Sequence, residues 1–384
     1  MFGIICLFSI VYFGNASSEA EHTYRISMVS SHENPGHPAL FVHGESPVWD
    51  PDTQSLYFVD VHQQNVHRLD YSSGKIYTKH IGYGQVNVVS LVADSRRLLV
   101  AVRSALFLLD WGVAGDSAIR LLTTLDHGQP DNVINEGKPD AQGRFWIGTK
   151  GPQTGDDVLP DKGSFYSVEQ ASLQPRVHLR PVSISNGIVF SHNNSVLYYI
   201  DSPTQKIEAF DFDLQQGELS ARRTIIDVSN YGYDDAIPDG MTIDADGHLW
   251  VALMFGGVVS IEYLSNNISI LELLIEMAMG RPNPPYSWTD ELVKTAGSLW
   301  IQADGVLHIN PDTRHVVFGY KLPVSRVTSV EWGGPSLDEL FVTTSQDKLN
   351  VKLEPLGGAI FTIRGTGSRG VPPHAFKFEN ADSY

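Results

Sequence analysis

Cysteine is nearly absent from this chain of 384 residues, since Cys6 is the single one. It lies in the first apolar run, so disulfides, thiol catalysis and cysteine metal sites are excluded for the rest of the protein. Positive charge is also scarce: 27 Lys and Arg face 44 Asp and Glu, for a formal net charge of −17. This excess of negative charge repels nucleic acid and anionic membrane surfaces, and we expect neither as a partner.

Long hydrophobic runs are missing apart from one at the start of the sequence. Residues Phe2 to Phe13 form a short apolar segment, and small or polar residues follow at 14–18. This order is typical of a secretory signal peptide, and the segment is too short for a stable membrane anchor. The sequence therefore predicts a signal peptide over 1–17 and a secreted protein. The alternative is a cytoplasmic protein with a misassigned start codon.

Sustained helical periodicity is rare, whereas short strands and turns recur. Gly 34 and Pro 21 accompany frequent Val, Ile, Tyr and Trp, a composition that favours many short strands. Residues 19–39 carry no strong pattern, and then a unit of three or four strands recurs six times, beginning near Gly44, Val88, Asn135, Asn186, Pro238 and Val327. A single unit of this kind cannot bury both faces of its sheet. Radial packing of six such sheets around a common axis covers these faces and leaves only short strand edges exposed. We predict an all-β, six-bladed β-propeller that forms a single domain over 24–384.

One segment, at about 258–303, interrupts the repeats. The outer strands of the fifth unit are expected there, yet the chain has a helix-like apolar run from Ile268 to Met279 and then several prolines. Structureless insertions of this length are uncommon in compact domains. The segment is either a functional excursion from one rim or a translated intron, and its deviating composition favours the second. The repeat resumes at Gly305.

Oxygen-bearing side chains recur at one position of these units. Asp239 stands just ahead of a strand that leads through a turn at 244–247 to a second strand, ten residues before Leu249. The corresponding residues of three other units are Asn135, ten residues before Phe145, and Glu45 and Asn186, eleven residues before Leu56 and Leu197. Val88 and about Ser329 take this position in the remaining two units. In a propeller the position faces one mouth of the central channel, so the four oxygen-bearing side chains should converge.

Four converging oxygens, two of them anionic, are what a hard divalent cation requires. No imidazole or thiolate stands there, so Ca²⁺, Mg²⁺ or Mn²⁺ suits the position better than a structural zinc. Each Asp or Asn could instead cap a turn. The common register favours the cation, because Glu45 and Asp239 would otherwise repel each other near the channel axis. If the ion polarises a carbonyl, Asp239 can accept a proton from water, a chemistry that suits an ester or a lactone.

These residues carry a resemblance to a known family. GESPVW at 44–49, NEGK at 135–138, GRFW at 143–146, ISNG at 184–187 and IPDGM at 237–241 resemble motifs of the regucalcin (senescence marker protein 30), gluconolactonase and firefly luciferin-regenerating enzyme family. The resemblance covers about 40–376, apart from the insertion. It implies a six-bladed propeller that binds one divalent metal ion (Ca, Zn, Mn or Mg) and hydrolyses sugar lactones. It also implies that Glu45, Asn186 and Asp239 bind the metal, that Asp239 is the proton-transferring catalytic residue, and that Asn135 contacts the substrate.

Two substrate positions depart from that family. Val133 stands where the family has a substrate-binding arginine, two residues before Asn135, and the acid expected just after Gly148-Thr149 is missing, with Gln153 the nearest polar residue. Loss of a guanidinium that hydrogen-bonds hydroxyl groups lowers the affinity for polar substrates. The sequence thus predicts a metal-dependent lactonase that takes a small-molecule lactone but uses gluconolactone poorly. The alternative is a non-catalytic propeller that binds calcium or another ligand.

Overall fold

The sheets of this protein are arranged in a ring. The structure, a computed structural model, describes residues 9–13, 23–31, 37–233, 235–256, 304–346 and 354–378. Within them, five sheets have four strands, one has five, and a two-stranded hairpin stands apart. Neighbouring innermost strands contact one another all round the ring, the last against the first. These are the six blades of the predicted propeller. In the same residues, no helix has the length and apolar character that crossing a membrane requires.

Blades 1 and 2 are antiparallel meanders in which the strand nearest the channel comes first. Two strands precede them in sequence but belong to the last blade: β1 (Ser9–Phe13) and β2 (Thr23–Met28). Blade 1 consists of β3 (Gly44–Asp50), β4 (Ser55–Asp60), β5 (Asn65–Asp70) and β6 (Ile76–His80). Blade 2 consists of β7 (Val86–Leu91), β8 (Leu98–Val102), β9 (Ala105–Leu109) and β10 (Ile119–Thr124), with a 3-10 turn, η1 (Asp116–Ala118), before β10.

Blades 3 and 4 follow the same plan, with one addition. Blade 3 begins with β11 (Val133–Pro139) and β12 (Phe145–Lys150), continues through an extra hairpin of β13 (Gln153–Thr154) and β14 (Asp157–Val158), and ends with β15 (Gly163–Val168) and β16 (Pro175–Val182). Blade 4 consists of β17 (Ser185–Phe190), β18 (Val196–Asp201), β19 (Lys206–Asp213) and β20 (Glu218–Asp227), with 3-10 turns η2 (Ser202–Thr204) and η3 (Val228–Tyr231).

Blades 5 and 6 contain the sequence irregularities. Blade 5 consists of β21 (Ile237–Ile243), β22 (Leu249–Met254), β23 (Asp304–Asn310) and β24 (His315–Lys321). The predicted insertion at 258–303 lies outside the described residues, but the predicted return of the repeat is confirmed, because β23 pairs with β22. Blade 6 consists of β25 (Val327–Gly333), β26 (Glu339–Thr344) and β27 (Phe361–Arg364), followed outward by β2 and then β1.

The ring closes through a strand that the sequence analysis did not identify. β2 pairs antiparallel with β27, with Met28 opposite Phe361. The signal was present in the sequence, because the apolar residues Tyr24, Ile26 and Met28 alternate with polar ones and pack in the core of this blade. The sequence analysis missed this short alternation because the partner strand lies at the other end of the chain. β1, which falls within the predicted signal peptide, pairs with the outer side of β2. Without β1, blade 6 would keep four strands like the other blades, so the ring itself does not depend on it.

The core lies between the blades, where aromatic side chains of adjacent sheets interdigitate. Trp250 of blade 5 and Trp332 of blade 6 are fully buried and meet edge to face, with ring centroids 5.0 Å apart. The indole N–H of Trp250 donates to Asp244 Oδ2 at 2.9 Å, and Asp244 Oδ1 accepts from the backbone N–H of His248 at 2.9 Å. One carboxylate therefore fastens the β21–β22 turn to the core. Truncation of a buried Trp in such a position costs about 3–5 kcal/mol.

Each of the six innermost strands carries a β-bulge near its start. The pairing register with the second strand shifts at Glu45/Val48, Val86/Val88, Ile134/Glu136, Ser185/Ile188, Pro238/Met241 and Val327/Ser329. A bulge bends its strand and re-aims the side chains there. In blade 5 it brings Gly240 so close to blade 6 that a Cβ atom on Gly240 would lie 2.0 Å from Ser329 Oγ. Glycine is therefore required beside Asp239.

Candidate functional site

The four oxygen-bearing residues that share a register in the sequence all stand at these bulges. Glu45, Asn135, Asn186 and Asp239 lie on β3, β11, β17 and β21, at the same end of the channel. Asn186 and Asp239 are buried, whereas Glu45 and Asn135 are half-buried. Because the bulge recurs at the same level in each blade, the four residues belong to one ring of positions around the channel.

A hydrogen-bond chain fixes the orientation of the Asn186 amide. Asn135 Nδ2 donates to Asn186 Oδ1 at 3.1 Å and to the carbonyl oxygen of Ser185 at 3.0 Å. Asn186 Nδ2 donates to Ser202 Oγ at 2.8 Å, and Ser202 Oγ donates to the carbonyl oxygen of Pro238 at 2.7 Å. The amide nitrogen of Asn186 thus points to Ser202 of η2, which is itself held by blade 5. The amide oxygen of Asn186 therefore faces Asn135. Ser202 is a supporting residue that the sequence alone did not reveal.

The two carboxylates of this ring lie in an environment that disfavours their charge. Burial raises the pKa of Glu45 well above its ordinary value, and the negative charges of Asp239 and then Glu136 raise it further. Burial, followed by the charge of Glu136, likewise raises the pKa of Asp239. Within the described part of the chain, neither carboxylate has an ion-pair partner. Two partly or fully buried carboxylates whose negative charges disfavour each other are a situation that a bound cation relieves.

Lys150 is a member of this site that the sequence analysis missed. It ends β12, where its backbone pairs with Val133 of β11 and forms a bridge to Ile184, two residues before Asn186. Burial lowers the pKa of Lys150, and the charges of Asp239 and Glu45 oppose that shift. The signal was present in the sequence, since Lys150 directly follows Gly148-Thr149, where the family's acid was sought. The first charged residue after Gly148-Thr149 is thus the basic Lys150, whereas an acidic residue was expected there.

The other two blades also differ from the sequence-based assignment. It placed Val88 and about Ser329 at the ring position, but the bulges place Asn87 and Thr328 there, one residue earlier. The assignment was wrong because the turns before the second strands of these blades vary in length. Thr328 Oγ1 donates to the carbonyl oxygen of Gly44 at 2.6 Å. Asn87 is buried, and its Oδ1 has no hydrogen-bond partner among the described residues.

The extra hairpin of blade 3 crosses this mouth of the channel. Asp156, between β13 and β14, accepts two hydrogen bonds from Arg326, at 3.1 Å and 2.7 Å. Arg326 immediately precedes β25 of blade 6, which is opposite blade 3 in a ring of six. The Arg326 guanidinium also lies over the ring of Phe255, 4.8 Å from its centroid. The ion pair thus holds the hairpin over the end of the channel where the bulges lie.

The two predicted substrate-binding positions lie beside this mouth. Val133 begins β11 and is half-buried. Gln153 begins the hairpin, where it is exposed and its Nε2 donates to the carbonyl oxygen of Gly155 in the same hairpin at 2.9 Å. The structure therefore brings Asn135, Asn186 and Lys150 together through contacts or backbone pairing, whereas the side chain of Gln153 is used within its own loop.

One histidine stands at the same end. Burial lowers the pKa of His43 to about 3, and the positive charges of His62, Lys150 and Arg326 act in the same direction. Its Nδ1 lies 3.0 Å from Ser345 Oγ. At neutral pH, His43 is therefore an uncharged imidazole with a hydroxyl partner and not a cationic group of the site.

A second group of side chains of the types that can bind a metal lies at the opposite end of blade 5. Single ligand atoms of Asp244, His248 and His308 all fall within 4.8 Å of one another. Among the described residues, this is the one set of three His, Cys, Asp or Glu side chains with that spacing. The sequence analysis recognised the turn at 244–247 but gave it no metal, since His308 is distant in sequence.

Comparisons with known proteins agree with the resemblance. The sequence model of the SMP-30/Gluconolactonase/LRE-like region matches residues 43–267. Regucalcin of Xenopus laevis is 31% identical over 337 residues, 87% of this chain and 94% of that protein. A solved luciferin-regenerating enzyme superimposes with a TM-score of 0.73 at 24% identity, over 92% of this chain and 99% of that one. A calcium-binding protein, regucalcin from Agrobacterium tumefaciens, gives a TM-score of 0.66 at 21% identity, over 88% of this chain and 95% of that one. With a matching fold, a matching family region and a relative aligned over most of both lengths, this chain belongs to the SMP-30/gluconolactonase/LRE-like family.

Proposed function

We propose that this protein is a divalent-metal-dependent hydrolase of lactones. The observation that carries the proposal is the ring of bulge residues, in which four blades contribute Glu45, Asn135, Asn186 and Asp239 at one channel mouth. The name of its family includes a gluconolactonase, which supports a lactone as the substrate class. A cyclic ester suits metal-assisted attack by water, and its leaving group stays attached to the acyl group.

The residues present fit a hard divalent ion. Glu45, Asn186 and Asp239 would hold it, through two carboxylates and one amide oxygen, a donor set that Ca²⁺, Mn²⁺ and Mg²⁺ accept and that Zn²⁺ tolerates. The raised pKa values of the two carboxylates and the fixed amide of Asn186 support this assignment. When bound, the ion would supply Lewis-acid polarisation of the lactone carbonyl.

The remaining chemistry belongs to the chain itself. Asp239 would accept a proton on its carboxylate from the water that attacks the carbonyl carbon. It would return the proton to the ring oxygen as the carbon–oxygen bond breaks, so that water is added across the ester and a hydroxy acid is released. Asn135 would orient the substrate through Oδ1, which accepts a hydrogen bond, because its Nδ2 already donates to Asn186 and to the Ser185 carbonyl oxygen. The hairpin that Asp156 and Arg326 hold across the mouth would limit the access of bulk water.

A second candidate function is a metal-binding or ligand-binding propeller without turnover. Lys150 favours it, because an ammonium group near Glu45 and Asp239 supplies part of the charge compensation that a cation would otherwise give. Val133 and Gln153 favour it too, because they replace the groups with which the family is expected to recognise sugar hydroxyls. The lactonase requires both a cation at the ring and catalysis, whereas the second function requires a bound ion or ligand without turnover.

Hydrolysis assays on the full-length protein separate the two. A panel of γ- and δ-lactones is incubated with the EDTA-treated protein and with added Mn²⁺, Ca²⁺, Mg²⁺ or Zn²⁺, and acid release is measured. The lactonase predicts metal-dependent turnover that falls by about 10²–10⁴-fold in Asp239→Asn, since this range is typical for loss of a general acid–base group. The control Asp52→Asn, which changes an exposed residue, should leave the metal-dependent turnover unchanged. Thermal stabilisation by the ion without turnover of any lactone would favour the second function.

A further inference from the structure

Two imidazoles of blade 5 lie beside a buried carboxylate: His248 follows the β21–β22 turn, His308 lies on β23, and Asp244 supplies the carboxylate. His248 Nδ1 and His308 Nε2 face each other at 2.8 Å, and His308 Nε2 lies 3.7 Å from Asp244 Oδ2. Asp244 and His308 are buried, while His248 is half-buried, which leaves the group reachable from solvent. Asp244 follows Asp239 by five residues along β21, so the two groups are separated by about 15 Å.

The corresponding turn of blade 3 shows what such a carboxylate requires. Asp140 occupies the place of Asp244 and accepts the indole N–H of Trp146 at 2.9 Å, as Asp244 does from Trp250. There, the place of His248 is taken by Arg144, whose Nη1 donates to Asp140 Oδ2 at 3.0 Å. Blade 3 therefore compensates its buried carboxylate with a guanidinium, whereas blade 5 offers two imidazoles.

We propose that blade 5 binds a Zn²⁺ ion through Asp244 Oδ2, His248 Nδ1 and His308 Nε2. Two imidazole nitrogens and one carboxylate oxygen are a preferred ligand set of Zn²⁺, with water at the fourth position. The ion displaces the proton that the two facing nitrogens share; at Zn–N distances of about 2.0–2.1 Å and a tetrahedral angle, these nitrogens separate from 2.8 Å to about 3.3 Å. The ion then compensates Asp244 as Arg144 compensates Asp140. Ca²⁺ and Mg²⁺ do not suit this set, since they prefer oxygen ligands.

The ligands are held in place before any ion binds. Asp244 Oδ1 accepts from the backbone N–H groups of Asp246 and His248, which leaves Oδ2 to the indole and the ion. The ring of His308 stacks on Trp250, with centroids 4.4 Å apart and planes 16° apart. Outer partners of this kind fix the ligand orientation and are as much a part of a metal site as the ligands.

The ion would fasten together two strands that are distant in sequence. β22 ends at Met254 and β23 begins at Asp304, yet His308 of β23 lies directly opposite Trp250 of β22. A link from the β21–β22 turn to β23 fixes the register of the returning strand. Closing a long loop is the case in which a metal clip has most to contribute.

The test uses the full-length protein freed of metal with EDTA and the variants His248→Arg and His308→Ser. These variants place in blade 5 the residues of blade 3, since Ser167 stands opposite Trp146 as His308 stands opposite Trp250. Zn²⁺ binding is measured by titration calorimetry, Co²⁺ binding by its visible absorption, and Ca²⁺ stabilisation by thermal unfolding. Asp239→Asn serves as the matched variant of the channel ring.

The wild type should bind Zn²⁺ and give the intense absorption of tetrahedral Co²⁺, and Asp239→Asn should retain both. Each histidine variant should lose affinity for Zn²⁺ at this site by more than about a hundredfold, because loss of outer partners alone costs about 10–100-fold. Both should keep the response to Ca²⁺, which shows that they are folded. Unchanged Zn²⁺ stoichiometry and Co²⁺ spectra in both histidine variants would overturn the proposal, and so would loss of all Zn²⁺ binding in Asp239→Asn.

Discussion

Replacement of Asp239 by Asn should stabilise the metal-free protein, although Asp239 stands in the middle of the candidate site. The backbone accepts Asn at this bulge, since Asn135 and Asn186 take the same position in blades 3 and 4. The substitution removes a negative charge that burial and Glu136 disfavour and that raises the pKa of Glu45. The free energy of unfolding without metal should therefore increase.

The magnitude follows from the repulsion between the carboxylates. Like charges about 5 Å apart in a medium of effective dielectric constant about 20 repel each other by on the order of 3 kcal/mol. The attraction to Lys150 offsets part of this. At about 2.1 cal/mol/K of unfolding entropy per residue, a chain of 384 residues gains or loses about 1 °C of Tm per kcal/mol. We expect Asp239→Asn to melt about 2–4 °C above the wild type in EDTA at neutral pH.

The difference between the two proteins should depend on pH in one direction. A carboxyl whose pKa is raised on folding holds its proton more tightly when folded. Its contribution to stability is therefore complete below the unfolded pKa and is lost as the pH rises through the folded pKa. Glu45 and Asp239 both behave in this way. The Tm values of the metal-free wild type and of Asp239→Asn should converge toward about pH 4 and separate as the pH rises to neutrality.

Thermal unfolding followed by circular dichroism, in EDTA and in millimolar Ca²⁺, checks this reasoning, with the exposed substitution Asp52→Asn as the control. Ca²⁺ at about a hundred times its dissociation constant adds about 2.7 kcal/mol to the stability of the wild type. It should add much less to the stability of Asp239→Asn. In Ca²⁺ the wild type should therefore melt at a higher temperature than Asp239→Asn, or the difference between their Tm values should become smaller than in EDTA. The reasoning is refuted if Asp239→Asn melts below the wild type in EDTA at neutral pH, or if Ca²⁺ stabilises both proteins equally.

Three further predictions concern the same mouth of the channel. Lys150→Met should raise the Ca²⁺ affinity by about tenfold or more, because it removes a positive charge that repels the ion; an unchanged affinity in calorimetry would show that Lys150 does not act on the ring. Asp156→Asn should lower the Tm by no more than about 1 °C, because Asp156 is exposed and such pairs contribute about 0–1 kcal/mol, although Arg326 is largely covered. It should nevertheless raise the KM for a lactone by loosening the hairpin, whereas Glu218→Gln, which breaks the exposed pair with Arg176 on blades 3 and 4, should change neither value. The Ca²⁺ affinity of the wild type should fall as the pH is lowered, because protons compete with the ion for Glu45 and Asp239; titration calorimetry at several pH values measures this, and a flat profile would contradict it.

Local patterns were sufficient to predict most of the architecture. Strands of five or six alternating or fully apolar residues end at Asp, Asn and Gly turns, and these signals are encoded within a few residues. The turn at 244–247 is an example: Asp244 accepts the backbone N–H groups that close it, and Gly247 takes the positive φ of 85° that it needs. The spacing from Asp239 to Leu249 was informative for the same reason, since a bulge and a turn of fixed length separate the two.

The sequence by itself thus determined the propeller and the family, and it put four oxygen-bearing residues in a common register, because each of these depends on short-range spacing that repeats from blade to blade. Only the tertiary structure decided what lies beside them. β2 pairs within blade 6, Lys150 lies beside the ring, Asp156 pairs with Arg326, and His308 faces His248. Each of these contacts joins segments that are distant in sequence or depends on the direction in which a side chain leaves a bulge. The repeat period of the sequence predicts neither long-range contacts nor side-chain directions, because both are set by how the strands pack around the channel.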